Sequence, residues 1–265
     1  MLTKALIAVI SILSIGSSMA DADTTQLYAA GSLQGALTDI AKAYESSTGT
    51  KVESKFGPSG VLKNEIAGGA KADVFASANM EHPQALHDEK KSGPVIRFAR
   101  NRLCALVRPG LAVTSGNLLE RMLDPNVKVG TSTPKADPSG DYAFEVFSKA
   151  EIVRPGAKAI LDKKALQLTG RAGSAAPPSG RTVYSWHVAE GRADIFLTYC
   201  TNALAARKEN PGQQIVALPD NLAVGADYGL TVIAGASAVA QKFVDFILSA
   251  AGQTILATYG FAPGK

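Results

Sequence analysis

The sequence predicts an α/β protein in which mostly parallel sheets are flanked by helices. Short apolar runs of strand length alternate with amphipathic runs of helix length from residue 26 to residue 259. Repeated strand–helix alternation is typical of parallel sheets covered by helices. The chain has 265 residues, of which 46% are hydrophobic and 19% are charged. It is therefore long and apolar enough for one large or two small domains with a buried core.

The period of the apolar residues assigns the individual elements. In the helix predicted over residues 32–44, one face carries Leu33, Ala36, Leu37, Ile40, Ala41 and Tyr44. Pro155 is expected to begin a helix at its first position, which proline favours. The strands are predicted at residues 26–30, 51–56, 72–76, 102–107, 127–131, 195–199, 215–218 and 230–234. The other helices are predicted at residues 59–67, 83–90, 118–123, 139–149, 182–190, 238–248 and 252–259.

Residues 1–20 have the pattern of a secretory signal peptide. Lys4 provides a positive start, an apolar run extends from Ala5 to Ile15, and the small residues Ser18 and Ala20 frame a cleavage site. Such a segment is too short for a membrane-spanning helix. We therefore expect a periplasmic protein that is released after cleavage. No cysteine follows the apolar run, so no lipid anchor is expected at that site.

The net charge of +4 falls to +3 when Lys4 is removed with the signal peptide. No run of basic residues with interleaved aromatic residues is present, so we expect no nucleic-acid partner. His82, His87 and His187 show no spacing with the cysteines that would build a metal-ion site.

Cys104 and Cys200 both lie in apolar, strand-like segments. Two interpretations are open: a disulfide, or two buried free thiols, which are common in protein cores. Export to an oxidising compartment favours the Cys104–Cys200 disulfide.

Four turns of small residues point to an anion site. Serine before a helix is a good N-cap, and a helix start offers free N–H groups and the positive end of the helix dipole. Hydroxyls and amides from several such turns could converge on one anion; the other interpretation is four ordinary capped turns. The turns are Ala29-Ala30-Gly31-Ser32, Pro58-Ser59-Gly60, Pro138-Ser139-Gly140 and Pro178-Ser179-Gly180.

Five segments carry a resemblance to a known family: LYAAGSLQGALTDIAKAYESSTG, FGPSGVLKNEIAGGAKADVFASA, STPKADPSGDYAFEVF, GRADIFLTYCTNA and TILATYGFAP. The chain resembles the periplasmic molybdate-binding proteins of bacterial ABC importers, which are type II periplasmic binding proteins. The resemblance implies two α/β lobes joined by hinge crossover strands, with the anion in the cleft. It places lobe 1 at residues 21–101 plus 226–265 and lobe 2 at residues 102–225.

In that family, serine hydroxyls, backbone amides and one tyrosine hold the oxyanion without a countercharge. The resemblance implies that Ser32, Ser59 and Tyr199 are ligands of the molybdate oxyanion, with tungstate as its chemical analogue. Ser139 falls where the family offers a backbone amide, and a count back from Tyr199 places the last amide at Arg181. The resemblance implies molybdate as the bound ligand and no cofactor.

A tetrahedral dianion accepts hydrogen bonds and donates none, so we expect donors and no carboxylate in the site. Two residues depart from the family pattern. Gly60 stands where related proteins often have a hydroxyl residue, and Arg181 is charged where the family has an uncharged residue. Tyr184 and Trp186 either pack their helix or line the cleft. If Arg181 and Trp186 face the ligand, the ligand is another anion, such as an organic phosphate or carboxylate.

The leading functional hypothesis is a monomeric binding protein that delivers molybdate to the membrane permease of an ABC importer. The alternative is a receptor for sulfate, phosphate or a small organic phosphate or carboxylate. A third hypothesis is an exported hydrolase, which needs a base beside its nucleophile. His187 is the only histidine close in sequence to a serine turn. The sequence therefore favours a binding protein over an enzyme.

Overall fold

The structure, a computed structural model, describes residues 24–264, so the predicted signal peptide at residues 1–20 lies outside the described residues. The strands are β1 (Thr25–Ala30), β2 (Val52–Gly57), β3 (Val74–Ser77), β4 (Ile96–Val107), β5 (Val129–Ser132), β6 (Leu166–Thr169), β7 (Ile195–Tyr199), β8 (Gln214–Ala217), β9 (Gly225–Val232) and β10 (Ala262–Pro263). The α-helices are α1 (Gln34–Thr48), α2 (Ser59–Ala67), α3 (Glu81–Asp88), α4 (Leu118–Leu123), α5 (Pro138–Val153), α6 (Ala157–Lys164), α7 (Val183–Ala189), α8 (Cys200–Glu209), α9 (Ala238–Leu248) and α10 (Ala250–Thr258).

The strands form a mixed sheet with the order β2-β1-β3-β9-β4-β7-β5-β6, to which β8 and β10 are added along β4. The pairs β1–β2, β1–β3, β5–β6 and β5–β7 are parallel. Every antiparallel pair among the described strands involves β4 or β9. The sheet is therefore two parallel groups of strands that long antiparallel strands connect.

Strand β4 belongs to both parts of the sheet. Its segment 96–102 pairs with β9 and β10, whereas its segment 103–107 pairs with β7 and β8. We call β1, β2, β3, β9, β10 and residues 96–102 the first half-sheet, and β5 to β8 with residues 103–107 the second half-sheet. The α/β class and the two-lobed architecture with crossover strands are confirmed. The lobe boundaries at residues 101/102 and 225/226 stay a prediction.

Helix α1 shows how the apolar pattern builds the core. All six residues of its predicted apolar face are buried, with Leu33, Leu37 and Ile40 fully so. Full burial of a leucine or isoleucine side chain contributes about 1.5–3 kcal/mol. The helix ends at Gly49, whose φ of 74° is the left-handed conformation that glycine adopts at helix ends.

Strands β4 and β9 and helix α6 begin at other residues than predicted, and three observed elements were not predicted. Strand β4 begins at Ile96 and not at residue 102, because its first half carries exposed arginines that hide the strand pattern. Helix α6 begins at Ala157 and not at Pro155, because Gly156 has a φ of 85° and Glu151 accepts the N–H groups of Gly156 and Lys158. Helix α8 was not predicted, because the residues that it buries are small or polar. The short strands β6 and β10 were not predicted either, since they are partly or fully exposed and lack a continuous apolar run.

The structure joins Cys104 of β4 to Cys200 of α8 in a disulfide. Their Cα atoms are 4.9 Å apart, within the usual range for a disulfide. The bond ties the second half of the crossover strand to the helix that follows β7. No helix within residues 24–264 is long and apolar enough to cross a membrane.

Replacing Cys104 and Cys200 by alanine should lower the free energy of unfolding. The bond spans 96 residues, and the chain-entropy model gives up to about 4–5 kcal/mol for such a loop. Denaturant unfolding of the wild type and the double variant measures the difference. Thiol titration of the unfolded, unreduced wild type is the companion measurement; two free thiols in protein isolated from the periplasm would contradict the bond.

Candidate functional site

Ser32 lies in the 3₁₀ turn Gly31–Leu33, directly after β1. Its Oγ is 3.0 Å from the hydroxyl oxygen of Tyr228 in β9. Asn101 of β4 donates from Nδ2 to the same Tyr228 hydroxyl at 3.2 Å and to Thr201 Oγ1 at 2.8 Å. Thr201 belongs to α8 beside the second half-sheet. This polar group therefore connects the two half-sheets next to the crossover strand.

Ser59 and Tyr199 meet at one residue, Ala78. The N–H of Ala78 donates to Ser59 Oγ at 3.1 Å, and the Tyr199 hydroxyl donates to the carbonyl oxygen of Ala78 at 3.2 Å. Ser59 begins α2 beside the first half-sheet, whereas Tyr199 ends β7 in the second. Both side chains are buried. Because Ser59 Oγ accepts from Ala78, its own proton stays available for donation to a ligand.

Ser139 lies in the first turn of α5 and is fully buried. Its backbone N–H donates to Asp137 Oδ1 at 3.1 Å. Its hydroxyl has no hydrogen-bond partner within residues 24–264. The interpretation of the serine turns as ordinary caps is wrong here, because Pro58 and Asp137 occupy the N-cap positions of α2 and α5. Neither the Ser59 hydroxyl nor the Ser139 hydroxyl caps its helix.

Three tyrosines form a row through this region. The rings of Tyr142 and Tyr199 have centroids 6.2 Å apart, and those of Tyr199 and Tyr228 are 5.5 Å apart. Burial raises the pKa of all three phenols above the usual range. The hydroxyls therefore stay protonated at neutral pH and can donate hydrogen bonds.

The sequence analysis did not single out Tyr142, Tyr228 or Asn101. Tyr142 follows Ser139 by three residues and so shares its face of α5, which is a signal that could have been used. Tyr228 and Asn101 reach the site from strands that are distant in sequence. Their position depends on the pairing of β4 with β9, which the sequence pattern did not supply.

Asp137 is the one departure from a site made only of donors. Burial raises the pKa of its carboxyl to about 6, although the Ser139 N–H and the Ser132 hydroxyl partly offset this rise. The expectation that no carboxylate lies in the site is therefore not met at α5. The same helix start that was expected to offer an amide to the anion already donates to a carboxylate.

Arg181 lies in the loop between β6 and α7. Its backbone N–H donates to the carbonyl oxygen of Pro178 at 3.2 Å. Its Nε donates to Glu209 Oε1 at 2.9 Å, and its guanidinium is 3.8 Å from Glu190. The structure thus brings Ser32, Ser59 and Tyr199 towards the centre and leaves Arg181 with two carboxylates. Its predicted contact with the anion stays a prediction.

The two aromatic residues after Arg181 pack within the second half of the molecule. The ring of Tyr184 meets Phe196 edge-on, with centroids 5.2 Å apart. Trp186 is buried, and the guanidinium of Arg192 lies 4.0 Å from the centre of its ring. These contacts support the packing interpretation for Trp186.

Gly60 makes a direct backbone contact across the two sides. Its N–H donates to the carbonyl oxygen of Ala136 at 2.9 Å. A Cβ at Gly60 would lie 2.3 Å from the carbonyl oxygen of Lys135 and 2.8 Å from that of Ala136, closer than van der Waals contact allows. Gly60 belongs to α2, and Ala136 to the loop between β5 and α5. Only glycine lets these two backbones approach so closely.

A cavity lies away from the predicted anion-binding residues. This cavity of about 600 Å³ is lined by residues of α4, the end of α5 and the segment before β9. None of the predicted anion-binding residues lines it; its lining includes Ser115, Leu119, Glu120, Arg154 and Leu222.

Within the part of the chain that the structure describes, no group of three or more histidine, cysteine, aspartate or glutamate residues could hold a metal ion.

Comparison with known proteins identifies the family. The profile of the bacterial extracellular solute-binding proteins matches residues 25–262. The chain belongs to this family. An uncharacterized protein of Pasteurella multocida is 35% identical over 91% of this chain and 99% of its own. The molybdate-binding protein ModA of Escherichia coli is 26% identical over 96% of this chain and 95% of its own.

Solved structures of this kind share the fold. The periplasmic molybdate-binding protein of Azotobacter vinelandii has a TM-score of 0.74 and 20% identity, and the match covers 90% of this chain and 98% of the other. The sulfate-binding protein SubI of Mycobacterium tuberculosis has the same TM-score and identity, with 91% and 86% covered. The resemblance to the periplasmic molybdate-binding proteins is thereby confirmed. The family description places this solute-binding protein outside the cytoplasm.

Replacing Gly60 by alanine should weaken ligand binding by this solute-binding protein at least about fivefold, because overpacking by about 1–3 kcal/mol opposes the close approach of the two lobes. Calorimetric titration with molybdate and small-angle scattering at saturation measure the effect. Gly57→Ala is the matched control, because a Cβ at Gly57 would meet only Leu62 at an ordinary 3.5 Å. Equal affinities and equal scattering curves for the Gly60 variant and the control would refute the close contact.

Replacing Arg181 by alanine should leave the affinity for molybdate nearly unchanged, because its guanidinium is engaged by Glu209 and Glu190. The stability should fall by at most about 1 kcal/mol, as is usual for partly exposed ion pairs. Titration of the wild type and the variant with molybdate decides the point. A loss of tenfold or more would mean that the side chain turns into the cleft.

Proposed function

We propose that this chain captures a small tetrahedral oxyanion between its two lobes and delivers it to the permease of an ABC importer. Molybdate is the first candidate, and tungstate is its chemical analogue. One observation carries the proposal: Ser59 from one lobe and Tyr199 from the other meet at Ala78. The names of relatives such as ModA support the choice of molybdate.

The chemistry of the donors suits such a ligand. Ser32, Ser59 and Ser139 offer neutral hydroxyls. The raised pKa of Tyr199 keeps its proton in place, and this hydroxyl would donate to the anion in exchange for the carbonyl oxygen of Ala78. A hydrogen bond to a charged group is worth about 1.5–3 kcal/mol. Several such bonds from fixed hydroxyls could hold a dianion without a cation beside it.

Delivery to an importer requires that the loaded protein differ from the empty one. A ligand that touches donors on both lobes favours the closed arrangement, because it gains contacts there that an open cleft cannot offer. The crossover strands β4 and β9 are where the half-sheets can move relative to one another. We infer that the permease recognises the closed arrangement of the two lobes.

Phosphate or sulfate is the second candidate. The observation that favours phosphate is Asp137, whose carboxyl lies beside Ser139. Hydrogenphosphate carries an O–H that can donate to a carboxylate, whereas molybdate and sulfate do not.

The hydrolase hypothesis finds less support, because Ser32 pairs with Tyr228 and Ser59 with the backbone of Ala78. Neither partner is a general base of the kind that a serine nucleophile needs.

Calorimetric titration of ligand-free protein with molybdate, tungstate, sulfate and phosphate tests the proposal. We expect one oxyanion per chain, with molybdate and tungstate bound most tightly. Binding of phosphate alone would transfer the assignment to the second candidate. No heat of binding with any of the four anions would overturn the proposed function.

The Ser32→Ala, Ser59→Ala double variant should bind molybdate at least about a hundredfold more weakly, since two charge-assisted donors are lost. The double variant Ser54→Ala, Ser148→Ala is the control, because both of these serines are exposed. Circular dichroism establishes that each variant is folded. An unchanged affinity in the folded Ser32, Ser59 variant would place the ligand elsewhere.

A further inference from the structure

Asp137 lies two residues before Ser139, whose backbone amide the family resemblance expects to donate to the anion. It caps α5, and its Oδ1 accepts the N–H of Ser139 at 3.1 Å. On the other side, the Gly170 backbone packs against it so closely that a Cβ on Gly170 would lie 3.0 Å from Oδ2. The carboxyl is thus held between the start of α5 and the segment after β6, and it has little freedom to turn away.

The surroundings of this carboxyl are polar, and among the described residues no cation contributes to the shift of its pKa. Ser132 and Ser139 are both fully buried, and neither hydroxyl has a hydrogen-bond partner of ordinary geometry within residues 24–264. None of the ion pairs among the described residues includes Asp137. Lys135, two residues earlier, has an exposed side chain. The fully buried Ser139 hydroxyl, which has no partner beside this capped helix start, indicates a place for a polar ligand.

The titratable groups that face Asp137 are acids. Asp141 lies on its own helix, Tyr184 on α7, Tyr199 on β7 and Tyr228 on β9. Repulsion by Asp141 contributes to the raised pKa of Asp137. The charge of Asp137 in turn helps to raise the pKa of the three tyrosines. Asp137 also directly follows Ala136, whose carbonyl oxygen accepts the N–H of Gly60 next to Ser59 at 2.9 Å. The carboxyl therefore lies near the proposed anion site, and a dianion bound there would feel its charge.

We propose that Asp137 is a specificity-determining residue that takes up one proton from solvent when a fully deprotonated oxyanion binds, and accepts a hydrogen bond from an oxyanion that carries its own O–H. The inference rests on the proposed function. With molybdate, the carboxylate gains a proton and becomes a donor to an oxygen of the ligand. With hydrogenphosphate, the ligand supplies the proton, and the carboxylate stays ionised.

The pH dependence follows from the pKa of about 6. Below this value the carboxyl of the empty protein is already neutral, so molybdate affinity should change little with pH. Above it, each unit of pH should weaken molybdate binding about tenfold, because a proton must be bound together with the ligand. Replacement of Asp137 by asparagine, which also caps helices well, should remove this dependence.

The experiment is calorimetric titration of the full chain at about pH 7.5, in two buffers of different ionisation enthalpy, which counts the protons bound with the ligand. For the wild type we expect uptake of about one proton with molybdate and almost none with phosphate. For Asp137→Asn we expect no uptake, tighter molybdate binding and weaker phosphate binding. Asp141→Asn, one turn further along α5, is the control and should retain the uptake. Asp137→Ser, another good cap, replaces the asparagine variant if that variant does not fold.

The outcomes separate the inference from the function on which it rests. If wild-type protein binds molybdate without proton uptake and with the same affinity at about pH 6 and about pH 8, the role of Asp137 is refuted while oxyanion binding stands. If Asp141→Asn loses the proton uptake while Asp137→Asn retains it, the proton is taken up by Asp141, and the role of Asp137 is again refuted. If neither molybdate nor phosphate binds to wild type or variants, the proposed function itself fails.

Discussion

Strand β4 holds the two half-sheets together. One unbroken strand, Ile96–Val107, pairs with β9 and β10 over its first half and with β7 and β8 over its second. Its backbone hydrogen bonds are therefore divided between two half-sheets that have separate helices around them. The disulfide at Cys104 anchors the second half of the strand to α8. Because both lobes are built on the same strand, the serine turn of one lobe and the tyrosine of the other arrive at the same place.

The contacts between the lobes are made by small groups and backbone atoms. Gly60 meets Ala136 through a backbone hydrogen bond, and Ala78 is held from both sides by Ser59 and Tyr199. Such contacts are directional and depend on close approach, so a single added methyl group can disturb them. The small size of these groups also suits a ligand of a few atoms, which neutral hydroxyls can surround without large side chains. The carboxyl at the start of α5 is the feature that distinguishes this proposed site from a simple ring of donors.

The sequence predicted the parts of the fold that depend on local pattern, and it missed those that depend on tertiary pairing. The alternation of strands and helices and the apolar face of α1 could be read directly, because burial on one face imposes a helical period. The first half of β4 could not, since Arg97, Arg100 and Arg102 give it the appearance of a surface segment. The resemblance led to Ser32, Ser59 and Tyr199, whereas Tyr228 and Asn101 became visible only through strand pairing. A capping aspartate is a common feature, and neither the partial burial of Asp137 nor its neighbours can be deduced from the sequence.

The central claim is that hydroxyls from both lobes bind one oxyanion between them. Crystals of the protein grown with tungstate test it most directly, because the anomalous scattering of tungsten locates the anion without reference to the protein. We expect one strong anomalous peak, with the anion's oxygens within hydrogen-bond distance of the Ser32 and Ser59 hydroxyls and of Tyr199. A peak in the cavity beside Leu119 and Arg154, or no peak in protein saturated with tungstate, would contradict it.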